Sequence, residues 1–390
     1  MNGAALNKAD LAAWRSLLTR PDATKLLAAA VYYLASALII PFVTNESLAL
    51  LFVAACAVFF FMQTRTLLSL LAPAIPAMLL FGASGSMMLP AAFFAIVFGG
   101  ACGAMLLLAA KSPARDAVLV LLPVAAYLAA YLLRGDPINA LLTLLPLPVA
   151  LVAAFAVRRC APFTGAVAAL TGTVAAGLLL AGGVTLALMN LLDVSLLPDF
   201  VTALGDALIA MLEEGRAMYA DMGVTIEISE TTIRNMLAEL VNLSPAIFTV
   251  IAMVSAYFTW RTLMVLLVSF GVLPRLPRLM LTPTMSVTAA ILFLISYIVA
   301  LIANAETATL TGAVGQNLAL ILEPGLALVG VGQLLRRDAP RSCLSILLLM
   351  ALVYLVWVSP ATALAATAFL GAIHTLIAAY HHAKSSKGEQ

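Results

Sequence analysis

The chain has 390 residues, of which 64% are hydrophobic and 10% charged. A typical soluble domain carries about 25% charged residues. With a mean hydropathy of +1.11, this composition excludes a soluble globular enzyme, a disordered chain and a nucleic-acid binder. Lys plus Arg is 20 and Asp plus Glu is 18, so the net charge of +2 says nothing about partners. Cys56, Cys102, Cys160 and Cys343 form no CxxC pair, and none lies near a histidine. They read as small apolar packing residues, and neither a metal nor a cofactor is expected.

Ahead of the first apolar run, Leu11, Trp14, Leu17 and Leu18 share one face of a short helix that Asn7 could cap. An interfacial helix is expected there. The run that follows begins after a 25-residue segment carrying Lys8, Arg15, Arg20 and Lys25, and has no A-x-A site behind it, so it reads as an uncleaved span. A membrane-spanning helix needs about 20 apolar residues. On that basis spans are expected at 26–43, 47–62, 66–81, 87–110, 117–133, 138–157, 163–192, 244–270, 285–303, 313–335, 342–358 and 361–380. The second and third are short; the alternatives are a re-entrant pair, or one broken helix carrying Pro73 and Pro76. The expected fold is therefore all-α, a polytopic membrane bundle of 10–12 spans.

The positive-inside rule orients this layout. With the N-terminus in the cytoplasm, 16 of the 20 basic residues fall inside. Arg134, Arg216 and Arg234 fall outside, and Arg261 lies within a span. Both termini are thus expected in the cytoplasm of a bacterial-type inner membrane, with residues 1–25 and 381–390 as the flanking segments. Residues 193–243 form the one long polar segment, between membrane segments 26–192 and 244–380. It carries nine acidic residues against two arginines and is expected outside as an amphipathic helical hairpin. Its first helix runs over 199–219, Gly223 marks the turn, and Ser229 caps the second.

Arg261 and Glu323 are costly at membrane depth and are functional candidates for that reason. They lie about 20–24 Å and 15–20 Å below the outer surface, so an ion pair is geometrically open. Glu323 is followed by Pro324 and Gly325, and preceded by Gln316 and Asn317 on the same span. A carboxylate, two amides and a proline-freed carbonyl at Leu320 match the broken helices that line transporter sites. An ordinary proline kink accounts for the same residues. Gly82-Ala83-Ser84-Gly85 matches the GxSG of rhomboid proteases. Its serine belongs near the outside, and His374 near the cytoplasmic end, so no catalytic pair forms. Gly99 with Gly103, and Ala168, Gly172 and Ala176, form rows suited to helix packing. The chain has no P-loop motif and no HExxH, and an enzyme is not expected.

The second half resembles the YybS-like family of uncharacterised bacterial membrane proteins. The resemblance rests on Ser244-Pro245-Ala246, Tyr257-Phe258 with Arg261, the turn Leu273-Pro274-Arg275-Leu276-Pro277-Arg278, Pro283, and Asn317 ahead of Pro324-Gly325. It covers residues 190–335. It implies a distant similarity to the substrate-binding subunits of energy-coupling-factor vitamin importers. The resulting expectation is small-molecule transport or substrate capture, at a site between 244–270 and 313–335 built from Arg261, Gln316, Asn317, Glu323, Pro324 and Gly325. Lipids, a small-molecule ligand and a membrane-protein or ATPase partner belong to that reading. A non-transporting envelope scaffold is the alternative.

Overall fold

The computed structural model describes residues 8–19, 88–109, 144–188, 229–274, 276–306, 310–334 and 358–388, with a few isolated positions. The expected spans at 26–43, 47–62 and 66–81, most of 117–133 and 342–358, the GxSG stretch and most of the first hairpin helix lie outside the described residues. The described residues are all-helical. In chain order the helices are α1 (Lys8–Ser16), α2 (Met88–Ala109), α3 (Pro146–Arg158), α4 (Phe163–Leu188), α5 (Glu230–Ser269), α6 (Arg278–Leu281), α7 (Val287–Glu306), α8 (Leu310–Leu334) and α9 (Pro360–Gly388).

Among the described residues, four stretches are long and apolar enough to cross a membrane: Phe163–Leu180, Glu230–Ser269, Thr311–Leu334 and Ala361–His381. Three shorter apolar helices accompany them at Ile96–Leu108, Pro146–Arg158 and Val287–Ile302. The outer face of α7 shows what such surfaces look like. Ile291, Ile295, Ile298, Leu301 and Ile302 are all exposed, an arrangement that hydrocarbon tolerates and water does not.

The chain forms two compact units, residues 1–181 with 251–284, and residues 182–250 with 285–390. In the first, α2, α3 and α4 surround a core of Met105, Val149, Val157, Leu170, Trp260, Leu263 and Leu267. Gly100 makes the α2–α3 approach feasible: a methyl group there would sit 2.7 Å from Val149 Cγ1. The expected interfacial helix is corrected in part. The Trp14 indole N–H donates to the Val157 carbonyl at 2.7 Å, and the ring is only 8% exposed. α1 is therefore docked into the protein, with Leu17 left half-exposed. Behind it, the Thr19 N–H and hydroxyl donate to Val272 O (2.9 Å) and Gly271 O (2.6 Å). Trp260, fully buried, donates to Met280 O at 2.9 Å and ties α6 back onto α5.

In the second unit α7, α8 and α9 pack together around Ala290, Phe293, Leu326, Ala327, Ala368 and Ala372. The Phe369 ring meets Phe293 and Tyr297 edge-on at 5.2 and 4.8 Å. Gly330 and Gly371 let α8 and α9 touch backbone to backbone. A methyl group on Gly330 would collide with the Thr367 carbonyl, and one on Gly371 with the Leu326 carbonyl.

Several sequence expectations are corrected. The 138–157 span contains a turn at 144–145, because prolines 146 and 148 suit a helix start better than its interior. The second hairpin helix and the span expected from 244 are one helix, since α5 runs for 40 residues through Pro245. The tail after 380 continues α9 to Gly388. The row Ala168, Gly172, Ala176 is exposed, and a methyl on Gly172 would touch nothing within 4 Å. That row is not a packing seam.

Candidate functional site

Pro245 stands inside α5 and removes one backbone donor, which orphans the Val241 carbonyl. The Ser244 hydroxyl answers it, donating to Val241 O at 2.8 Å. Asn317 on α8 repairs the next rung. Its Oδ1 accepts from the Ala246 N–H at 3.0 Å, and its Nδ2 donates to Asn242 O at 2.8 Å. These are the two groups that meet in an ordinary helical hydrogen bond. The second Nδ2 hydrogen goes to Ala313 O at 2.8 Å, on α8 itself. Both donors of the Asn317 amide, and one lone pair of its oxygen, are thereby used. Sequence reading marked Asn317 as a ligand-binding residue; in the structure its amide joins α8 to α5.

Glu323 lies about one and a half turns further along α8 and is half-buried. Within its unit the carboxylate has no hydrogen bond or ion pair with a described residue. The broken helix expected at Leu320 is corrected: α8 is continuous from Leu310 to Leu334 with Pro324 inside it. One missing N–H and one crowded carbonyl are absorbed by local bending without ending the helix. A methyl on Gly325 would come 3.0 Å from Met285 Cε, so the small residue keeps space for the segment leading into α7. Gln316 and Pro324 are half-buried on the same helix. Arg261 is half-buried on α5 and belongs to the first unit. The structure thus gathers Gln316, Asn317, Glu323, Pro324 and Gly325 on one helix of one unit.

Asn242 and Ala246 were missed as partners of Asn317. A serine ahead of a proline in a helical run was the available signal; the identity of the facing asparagine was not.

At the polar end of α5, Ser229 caps the helix as expected, accepting from Thr232 N–H at 3.2 Å. Arg234 pairs with Asp206 at 2.8 Å, with both side chains well exposed. This contact links the two halves of the acidic segment, though an exposed pair contributes at most about 1 kcal/mol.

No protein-family model matches the chain, and no curated protein or solved structure matches it significantly.

Proposed function

We propose that the chain is a polytopic inner-membrane protein for small-molecule transport or substrate capture. Its polar site lies on α8 beside the Pro245 region of α5. The observation that carries this reading is Glu323. A half-buried carboxylate without a partner among the described residues of its own unit stands on a helix apolar enough to span a bilayer. Such a group is expensive in hydrocarbon unless it meets water, a counter-charge or a ligand. The YybS-like resemblance of residues 190–335 points the same way. With no P-loop in the sequence, the protein works passively or with a partner ATPase. The acidic segment faces outward and both termini face the cytoplasm in this reading.

Native mass spectrometry of the purified protein tests it. Wild type is expected to retain a small molecule that Glu323→Gln loses, with thermal stability in detergent unchanged. Equal ligand content, or none in either, counts against a site at Glu323. One observation favours the second reading, an envelope scaffold. The amide of Asn317 is consumed by helix repair, which removes one of the polar groups a ligand cavity would use.

A further inference from the structure

The repair at Pro245 is asymmetric. Ser244 satisfies Val241 O from within α5, so that half of the break closes by itself. The other half, Ala246 N–H and Asn242 O, is satisfied from a different helix. A proline already lowers the cost of bending at this point. The segment ahead of it, Glu230–Ser244, carries Glu230, Arg234 and Glu239 and makes few buried contacts; Leu237 is its buried residue, while Met236 and Leu240 are exposed. Among the described residues, little else holds this arm along its own length: the exposed Arg234–Asp206 pair and the buried Leu237.

We infer that Pro245 is a hinge in α5 and that Asn317 is the latch that holds it closed against α8. With the latch made, the rung at 242–246 is fully bonded and the arm continues the helix. With it open, Ala246 N–H and Asn242 O lose the Asn317 amide, and the arm is free to bend at the proline. The latch needs an amide specifically. An aspartate offers no donor to Asn242 O, and a leucine offers nothing to either group. This inference concerns the fold's moving part and stands whether or not Glu323 binds a ligand.

Hydrogen exchange of the full-length protein in detergent tests it, read on the peptides covering 242–250. In Asn317→Leu, exchange there is expected to rise about tenfold or more, since two hydrogen bonds are lost, while α9 keeps its wild-type protection. In the double variant Pro245→Ala with Asn317→Leu, residue 245 regains its donor to Val241 O, the proline no longer holds the helix open, Ala246 N–H meets Asn242 O within α5, and protection returns. Unchanged exchange at 242–250 in Asn317→Leu overturns the latch. If Asn317→Leu fails to fold, the double variant decides: recovery of a folded protein supports the latch, and failure overturns it.

Discussion

Two helix ends in the first unit use the same cap with different residues. After α5, Gly271 has φ +72, Val272 N–H reaches Leu267 O at 2.9 Å and Gly271 N–H reaches Val268 O at 3.0 Å. After α3, Cys160 has φ +49, with Ala161 N–H on Ala156 O at 2.9 Å and Cys160 N–H on Val157 O at 3.0 Å. Both are Schellman caps, whose C′ residue is left-handed. Glycine adopts that conformation freely; a residue with a Cβ carries a cost of about 1–2 kcal/mol. Gly271→Ala should therefore lower stability by about that amount, measured by thermal melting in detergent, and an unchanged melt would contradict the cap. Cysteine endures at 160 because its side chain is buried in the core. That burial also pushes its thiol pKa up from the ordinary value. Thiolate is the reactive form, so labelling of Cys160 by a water-soluble maleimide should be slow at neutral pH. It should accelerate only at a higher pH than for an unburied thiol. Labelling as fast as that of a free cysteine at pH 7 would show that the turn is open.

At the scale of helices, apolar runs and caps were legible in the sequence because they depend on local composition. The spans at 87–110, 163–192, 285–303 and 313–335 correspond to α2, α4, α7 and α8 within a few residues. Contacts across helices were not legible. Ala168, Gly172 and Ala176 have the spacing of a seam and face outward, while Gly330 and Gly371 form a seam from two different helices. Spacing within one helix fixes which residues share a face, not which face meets a neighbour. The difference predicts opposite signs. Gly371→Ala drives a methyl into the Leu326 carbonyl and should cost about 1–3 kcal/mol, since backbone cannot move aside. Gly172→Ala meets open space and should stabilise the helix by about 0.5–1 kcal/mol. Thermal melts of the two variants give the comparison, and equal effects would refute the α8–α9 seam. Pro324 belongs to the same lesson. Its sequence context with Glu323 suggested a broken helix, yet the structure keeps α8 whole. Pro324→Ala should therefore restore a donor toward Leu320 O without straightening any break, leaving the melting temperature equal or higher. A clear loss of stability would mean that the bend itself is needed for packing.

At the scale of the whole molecule, the length of α5 constrains how the chain meets a bilayer. Its 40 residues extend about 60 Å at 1.5 Å per residue, against a hydrocarbon core of about 30 Å. Roughly half of the helix must therefore project beyond the hydrocarbon. The charges say which half. Glu230, Arg234 and Glu239 occupy its first ten residues, and between Glu239 and Ser269 the one charged residue is Arg261. Arg261 lies eight residues before the helix end, about 12 Å, a distance that a long side chain shortens by reaching toward the headgroups. The embedded half is then the C-terminal one. In the proposed orientation the basic residues beyond it, Arg275 and Arg278, are expected on the cytoplasmic side by the positive-inside rule. Single cysteines placed along 230–269, in a background without the four native cysteines, should label from the outside over about 230–246. They should become protected within a turn or two of Pro245, as the helix enters hydrocarbon. Cysteines beyond Gly271 should label only when the membrane is made permeable. Labelling of 230–240 from the cytoplasmic side would reverse the orientation of the whole chain. Uniform protection from 230 onward would bring the projecting half back into the bilayer. That outcome would also remove the solvent-exposed arm on which the hinge at Pro245 acts.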